Sequence, residues 1–243
     1  MSIWRVSFVS DQEMTFLDHL DELRKRLIYA VIVLLIGTTV CYIFFKPLLE
    51  FIKWPLPSDL QHVQLTVFGF MQIFMLRFKL AVIGGFILTS PFIIYEILAF
   101  FAPALKSNER KYIFAILPAM TLLFLGGAAF AFFVVLPPAI SWLRAQGMGQ
   151  LGFIVRADDY LSFVSLFMLS FGVAFEAPLV IILLIKLGIV DRKMLRKNWR
   201  YAYVASFIIA AIATPDWSIV SMSILGVVLI ILFELSLLVA RWL

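Results

Sequence analysis

The residues best suited to chemistry stand in two short polar stretches, FLDHLDELRKRL at positions 16–27 and KSNERK at 106–111. Each mixes carboxylates with cations directly beside a long apolar run. On a helical wheel Phe16, Leu20, Leu23 and Leu27 form one stripe, so the first stretch reads as an amphipathic helix entering that run. His19, Glu22 and Arg26 fall on one flank of it and Arg24 on the other. A pairing of Glu22 with Arg26 at i, i+4 is worth only a few tenths of a kcal/mol and accounts for one carboxylate of three. Glu109, the lone acid of the second stretch, suits a helix start, with Ser107 or Asn108 as cap and the helix dipole favouring its charge. Taken together, Glu22 and Glu109 are two acids on a face that is otherwise basic. That arrangement suits a ligand with guanidinium groups, which bind carboxylates through paired hydrogen bonds.

A third candidate is Glu176 in SFGVAFEAP, deep in an apolar run, where an ionisable group is costly and faces protein or a wet cavity. Ser162, Ser165 and Gly172 fall on the same helical face, and Pro178 frees the carbonyl of Ala174 and is expected to kink the helix. Glu176 reads either as a neutral, hydrogen-bonded carboxylic acid inside a bundle or as a proton carrier or hydrated dent. No second mid-membrane acid or histidine stands ready to receive its proton, which favours a structural or hydration role. Asp216 is expected to cap the last span, and Glu96 and Glu234 lie near span ends. Nothing suggests catalysis: there is no phosphate-binding glycine loop, no metal-ligand cluster and no nucleophile motif, and His19 and His62 fall on opposite sides of the membrane. The reading is of a protein without enzymatic turnover, cofactor, metal or nucleic-acid partner. A proton-coupled transporter using Glu176 is the first alternative and a membrane-embedded enzyme the second.

The elements that must position these groups follow from composition. Of 243 residues 63% are hydrophobic and 14% charged, with a mean hydropathy of +1.04, which marks a polytopic all-α membrane protein. The single cysteine, Cys41, lies inside an apolar run and excludes an internal disulfide. A bilayer core of about 30 Å takes roughly 20 helical residues. Six runs qualify, at about 27–45, 70–101, 112–136, 160–187, 201–213 and 217–240, in one membrane domain over 1–243 with 1–26 as its amphipathic N-terminus. The third is expected to stop at Pro137–Pro138, and residues 46–66 make a connector. The first run has an acidic flank and no small-residue cleavage site, so it reads as a permanent span. The fifth, at about 13 residues or roughly 20 Å, is too short for an unperturbed bilayer, so the membrane thins there or the last two spans form a shortened hairpin. Fourteen of the twenty Lys and Arg residues flank one side of the six spans, and Lys46, Lys53, Arg144 and Arg156 flank the other. The positive-inside rule then puts both termini in the cytoplasm.

HLDELRKRL before a first span resembles the N-terminal signature of the TatC family, the multispanning receptor subunit of the twin-arginine protein translocase. The likeness continues through SPFIIYEILAFFAPALKSNERK, FLGGAAFAFFVVLP, YLSFVSLFMLSFGVAFEAP and ATPDW, and covers the chain from about Phe16 on. The resemblance implies six helices in a cupped, glove-like shape with a cytoplasmic site for signal peptides bearing consecutive arginines. Glu22 and Glu109 match the two family acids that receive those arginines, and Arg24 and Phe100 match positions around the same site. Pro55 matches a proline of the first external connector, Glu176 the buried acid of the fourth span, and Asp216 the acid before the sixth. It further implies single-span TatA and TatB partners, self-association in a receptor complex, folded cargo proteins and the proton-motive force as energy source. The setting it implies is an energy-transducing membrane, such as the bacterial inner membrane. The chain departs from the family at Glu96 and Leu98, where members often carry Gln and Trp, and at Gln72, where many carry an acid.

Overall fold

A computed structural model of the protein describes residues 16–57, 65–102, 107–146, 155–214 and 219–242, the side chains of 16–18 and 107–114 excepted. Nine α-helices carry almost all of these residues. They are α1 (Phe16–Ile43), α2 (Phe45–Ile52), α3 (Phe70–Phe101), α4 (Ser107–Phe130), α5 (Leu136–Ala145), α6 (Ala157–Lys186), α7 (Arg192–Lys197), α8 (Trp199–Ala213) and α9 (Ile219–Val239). Among the described residues, five stretches are long and apolar enough to span a membrane: His19–Ile43, Phe70–Phe101, Ala115–Ala145, Ala157–Lys186 and Ile219–Val239. The sixth apolar helix, α8, has 15 residues, or about 22 Å. Large apolar side chains such as Leu35, Ile36, Leu122 and Ile212 lie outward. Helices of this kind satisfy their own backbone groups and present hydrocarbon to lipid.

From Phe16 on, the amphipathic stretch and the first span are one uninterrupted helix, α1. The third run does not stop at Pro137–Pro138. A π-helical turn, Ala131–Val135, joins α4 to α5, and the Leu136 N–H donates to the Ala131 carbonyl five residues back. This wider turn comes just before two residues that lack an N–H, so the helix is re-phased rather than ended, and both prolines sit in the first turn of α5. Pro178 does not interrupt α6, which is continuous from Ala157 to Lys186.

Helix α6 is central, packing on α3, α4 and α9, while α1 lies along α3 and α8 along α9. The α1–α3 contact is close enough that a Cβ on Gly85 would stand 2.5 Å from the Thr38 amide nitrogen. One on Gly37 would stand 2.9 Å from the Gly85 carbonyl oxygen. Small residues permit such backbone approach between helices in lipid. The core holds Phe132, Phe167 and Phe171 fully buried. At the end of the bundle away from the N-terminus, the Tyr160 hydroxyl donates to the Ile52 carbonyl at 2.6 Å. There the Thr66 N–H also donates to Val155 O (2.9 Å) and the Ala157 N–H to Thr66 O (3.0 Å). These bonds tie the first connector to the start of α6. Arg77 reaches the same end, donating to the Tyr42 carbonyl at 2.9 Å and lying 4.1 Å from the centre of its ring.

Candidate functional site

The first turns of α1 meet the last turns of α3, and the helical spacing of each brings its polar groups to the contact. On α1, His19, Glu22 and Arg26 follow at i, i+3 and i+7; on α3, Glu96 and Phe100 follow at i and i+4. The Arg26 Nε–H donates to Glu22 Oε1 at 2.7 Å and its Nη1 to Glu96 Oε2 at 3.0 Å. One guanidinium thus bridges carboxylates from two helices. All three side chains are mostly shielded, Glu96 the most at 15% exposed. Two carboxylates against one cation leave one net negative charge at this spot. Beside it the His19 ring stacks on Phe100, with centroids 4.6 Å apart and planes at 25°, and Phe101 meets Phe100 edge-on at 5.2 Å. The result is a cluster of carboxylates beside stacked aromatic rings, two kinds of group that interact favourably with planar cations.

Of the residues singled out in the sequence, Glu22 and Phe100 come together here. Arg24 is exposed on the other flank of α1 and makes no ion pair among the described residues. Glu109 lies in the first turn of α4, a helix that starts five residues of chain after α3 ends, and its side chain is outside the described residues. Three members of the cluster, His19, Arg26 and Glu96, are not among the site residues read from the sequence. There His19 is only placed on a flank of the helix, Arg26 is paired with Glu22, and Glu96 stands near a span end as a departure from the family. Its spacing of four residues before Phe100 was the available signal.

The profile of a family described as Sec-independent protein translocase protein (TatC) matches residues 18–227. The chain is 35% identical over 234 residues to the Sec-independent protein translocase protein TatC of Carboxydothermus hydrogenoformans, covering 96% of each chain. To that of Aquifex aeolicus it is 35% identical over 230 residues, covering 94% of this chain and 95% of the relative. The chain belongs to the TatC family. A crystal structure of a twin-arginine translocase receptor, TatC, superposes with a TM-score of 0.81 at 33% identity, covering 92% of this chain and 98% of that one. The chain is therefore a multi-pass membrane protein with the TatC fold, a transport component and not an enzyme.

The remaining TatC positions are dispersed. Pro55 is buried in the turn after α2, at the opposite end of the bundle from Glu22. Around it Phe51 stacks on Phe132 (4.4 Å) and Trp54 meets Phe133 edge-on (5.0 Å), so this corner is an aromatic clamp on the π-helical turn. Asp216 lies outside the described residues. Glu176 is far along α6, and both of its carboxylate oxygens are buried with no hydrogen-bond partner among the described residues. The expected polar face does not reach it: Ser162 accepts from Lys79 Nζ at 2.6 Å, and Ser165 Oγ is buried and also unpartnered. Eleven residues, about 16 Å of helix, separate Ser165 from Glu176. No group of three or more His, Cys, Asp or Glu able to hold a metal occurs among the described residues.

Proposed function

We propose that the protein recognises signal peptides bearing consecutive arginines at the end of the bundle where α1 meets α3. Glu22 and Glu109 accept the guanidiniums, while Arg24 and Phe100 shape the surroundings. In this reading that end faces the cytoplasm with both termini, in an energy-transducing membrane such as the bacterial inner membrane. The protein then works with TatA- and TatB-type single-span subunits and further copies of itself to export folded proteins at the expense of the proton-motive force. One observation carries the reading. The Arg26 guanidinium held between Glu22 and Glu96, beside Phe100, has the chemistry that a peptide arginine would bring. A ligand arginine would take one of these carboxylates in exchange for Arg26.

The test is affinity of the purified full chain for Arg-Arg and Lys-Lys forms of one signal peptide. A charge-assisted hydrogen bond to a partly exposed carboxylate contributes roughly 1.5–3 kcal/mol, so Glu22→Ala or Glu109→Ala should each weaken Arg-Arg binding roughly 10- to 100-fold. The double variant need not be additive, because both acids serve one ligand. Equal affinity for the two peptides, or unchanged affinity in both variants, would overturn the assignment.

A further inference from the structure

A cavity of about 410 Å³ lies between α7 and the end of α9, away from the α1–α3 contact. Three arginines line it, Arg192 and Arg196 from α7 and Arg241 just beyond α9, with a single acid, Glu234. The local sequence builds this rim. Gly188, with φ +70°, closes α6 by giving its N–H to the Ile185 carbonyl at 3.0 Å. Asp191 then caps α7 by accepting from the Lys193 N–H at 2.9 Å. The turn thereby delivers two arginines one helical turn apart beside α9.

The charge of the cavity is unbalanced. Both oxygens of Glu234 have a partner, Oε2 accepting from Arg196 Nη1 at 2.6 Å and Oε1 from the Tyr203 hydroxyl at 2.8 Å. Arg192 Nε donates to the Leu237 carbonyl at 3.0 Å, which uses one of five donors and no counter-charge. Arg241 is exposed and pairs with no acid among the described residues. Two positive charges are left over. The walls, in contrast, are apolar. Ile231, Leu235 and Leu238 line the cavity at i, i+4 and i+7, each about half exposed, and so run as a stripe along α9 toward the bilayer. Cations at the mouth and a hydrocarbon stripe below them match an amphipathic anion. A small soluble anion would leave the stripe unused, and a zwitterionic headgroup would bring a cation to an already cationic site.

We propose that this groove binds one anionic phospholipid, with its phosphodiester between Arg192 and Arg241 and an acyl chain along Ile231, Leu235 and Leu238. Basic pockets at helix ends beside a membrane surface bind such headgroups, and arginine matches phosphate through paired donors. The bound lipid would tie α7 to α9 and brace the base of the short α8–α9 hairpin.

The experiment is native mass spectrometry of the purified full chain with phosphatidylglycerol or phosphatidylcholine of identical acyl chains. One phosphatidylglycerol per chain should be retained in preference to phosphatidylcholine. Arg241→Gln and Arg192→Gln together should weaken that retention by roughly tenfold or more. Arg200→Gln, which removes an equal charge from a residue that does not line the cavity, should leave it unchanged. Arg241→Gln alone changes an exposed side chain that makes no hydrogen bond among the described residues, so it is expected to fold, and it should weaken retention measurably. Inorganic phosphate should fail to displace the lipid. Equal retention of both lipids, full retention by the double variant, equal loss in Arg200→Gln or displacement by phosphate would each overturn the proposal.

Discussion

Two carboxylates contend for the Arg26 guanidinium, and how that charge is shared decides how much of Glu22 is left for a ligand. Glu96 draws part of it away through its 3.0 Å contact with Nη1, so it acts on Glu22 through Arg26. In Glu96→Gln the side chain still fills the same volume, but Arg26 neutralises Glu22 alone. Arg-Arg peptide affinity should then fall several-fold and depend less on salt, since one fewer charge takes part. Adding Arg26→Gln to that variant should restore affinity. Titration of peptide at two salt concentrations measures both effects, and unchanged affinity in Glu96→Gln would reduce the Arg26–Glu96 contact to a pin between helices. Glu176 is the opposite kind of residue, with buried carboxylate oxygens and no bond to lose among the described residues. Replacing an unpaired buried polar group by an apolar one of similar size is neutral or stabilising. The thermal midpoint of Glu176→Met in detergent should therefore be no lower than that of the wild type. A midpoint several degrees lower would reveal a partner for the carboxyl.

At the scale of helices, close approach does what hydrophobic burial does in a soluble core. Lipid is as apolar as leucine, so α1 and α3 hold together by contact and hydrogen bonds. Gly85→Ala puts a methyl 2.5 Å from the Thr38 nitrogen, against backbone that cannot yield, and should cost about 1–3 kcal/mol. Gly126→Ala is the matched control: nothing lies within 4 Å of its Cβ, and helix propensity alone should make the change neutral or favourable by up to about 1 kcal/mol. Comparing their unfolding midpoints in one detergent checks the pair, and equal effects would remove the glycine contact as the cause. What could be read from sequence divides along the same line. Hydropathy and helical period are local, and they show the first helix running unbroken from Phe16, the shortness of the fifth apolar run and the stripe carrying His19, Glu22 and Arg26. The Glu96 partner of Arg26 comes from a helix 70 residues away, so no local pattern contains it. Pro137–Pro138 misled for a different reason. Proline is a stop signal only if the preceding turn stays α-helical, and the π bond from Leu136 to Ala131 removes that condition.

Over the whole molecule, the apolar helices differ in length, and α8 is the shortest of those that could face lipid among the described residues. Helix α8 closes with the Ala213 carbonyl accepting from the Ser170 hydroxyl at 2.6 Å. Ser170 is 13 residues into α6, so the last residue of α8 lies level with a point about 20 Å along that helix from its start. At its other end the hairpin is held to α7 by Glu234, which bonds Tyr203 and Arg196. The hairpin is therefore recessed on one side only, and its α8 length of about 22 Å falls short of a bilayer core of about 30 Å. Lipid beside α8 is expected to dip to meet it, at a fraction of a kcal/mol per Å of mismatch. If that dip lowers the barrier to a passing cargo, depth rather than sequence is what matters. Inserting four leucines after Ile208 adds about 6 Å and moves the turn outward. Export of a folded reporter should fall by at least about tenfold while the variant still inserts and binds signal peptide. Ser170→Ala separates depth from bonding, because it removes the hydrogen bond and keeps the helix short; its export should stay near that of the wild type. Normal export with the lengthened hairpin would show that the recess has no part in transport, and loss in Ser170→Ala alone would assign the effect to the hydrogen bond instead.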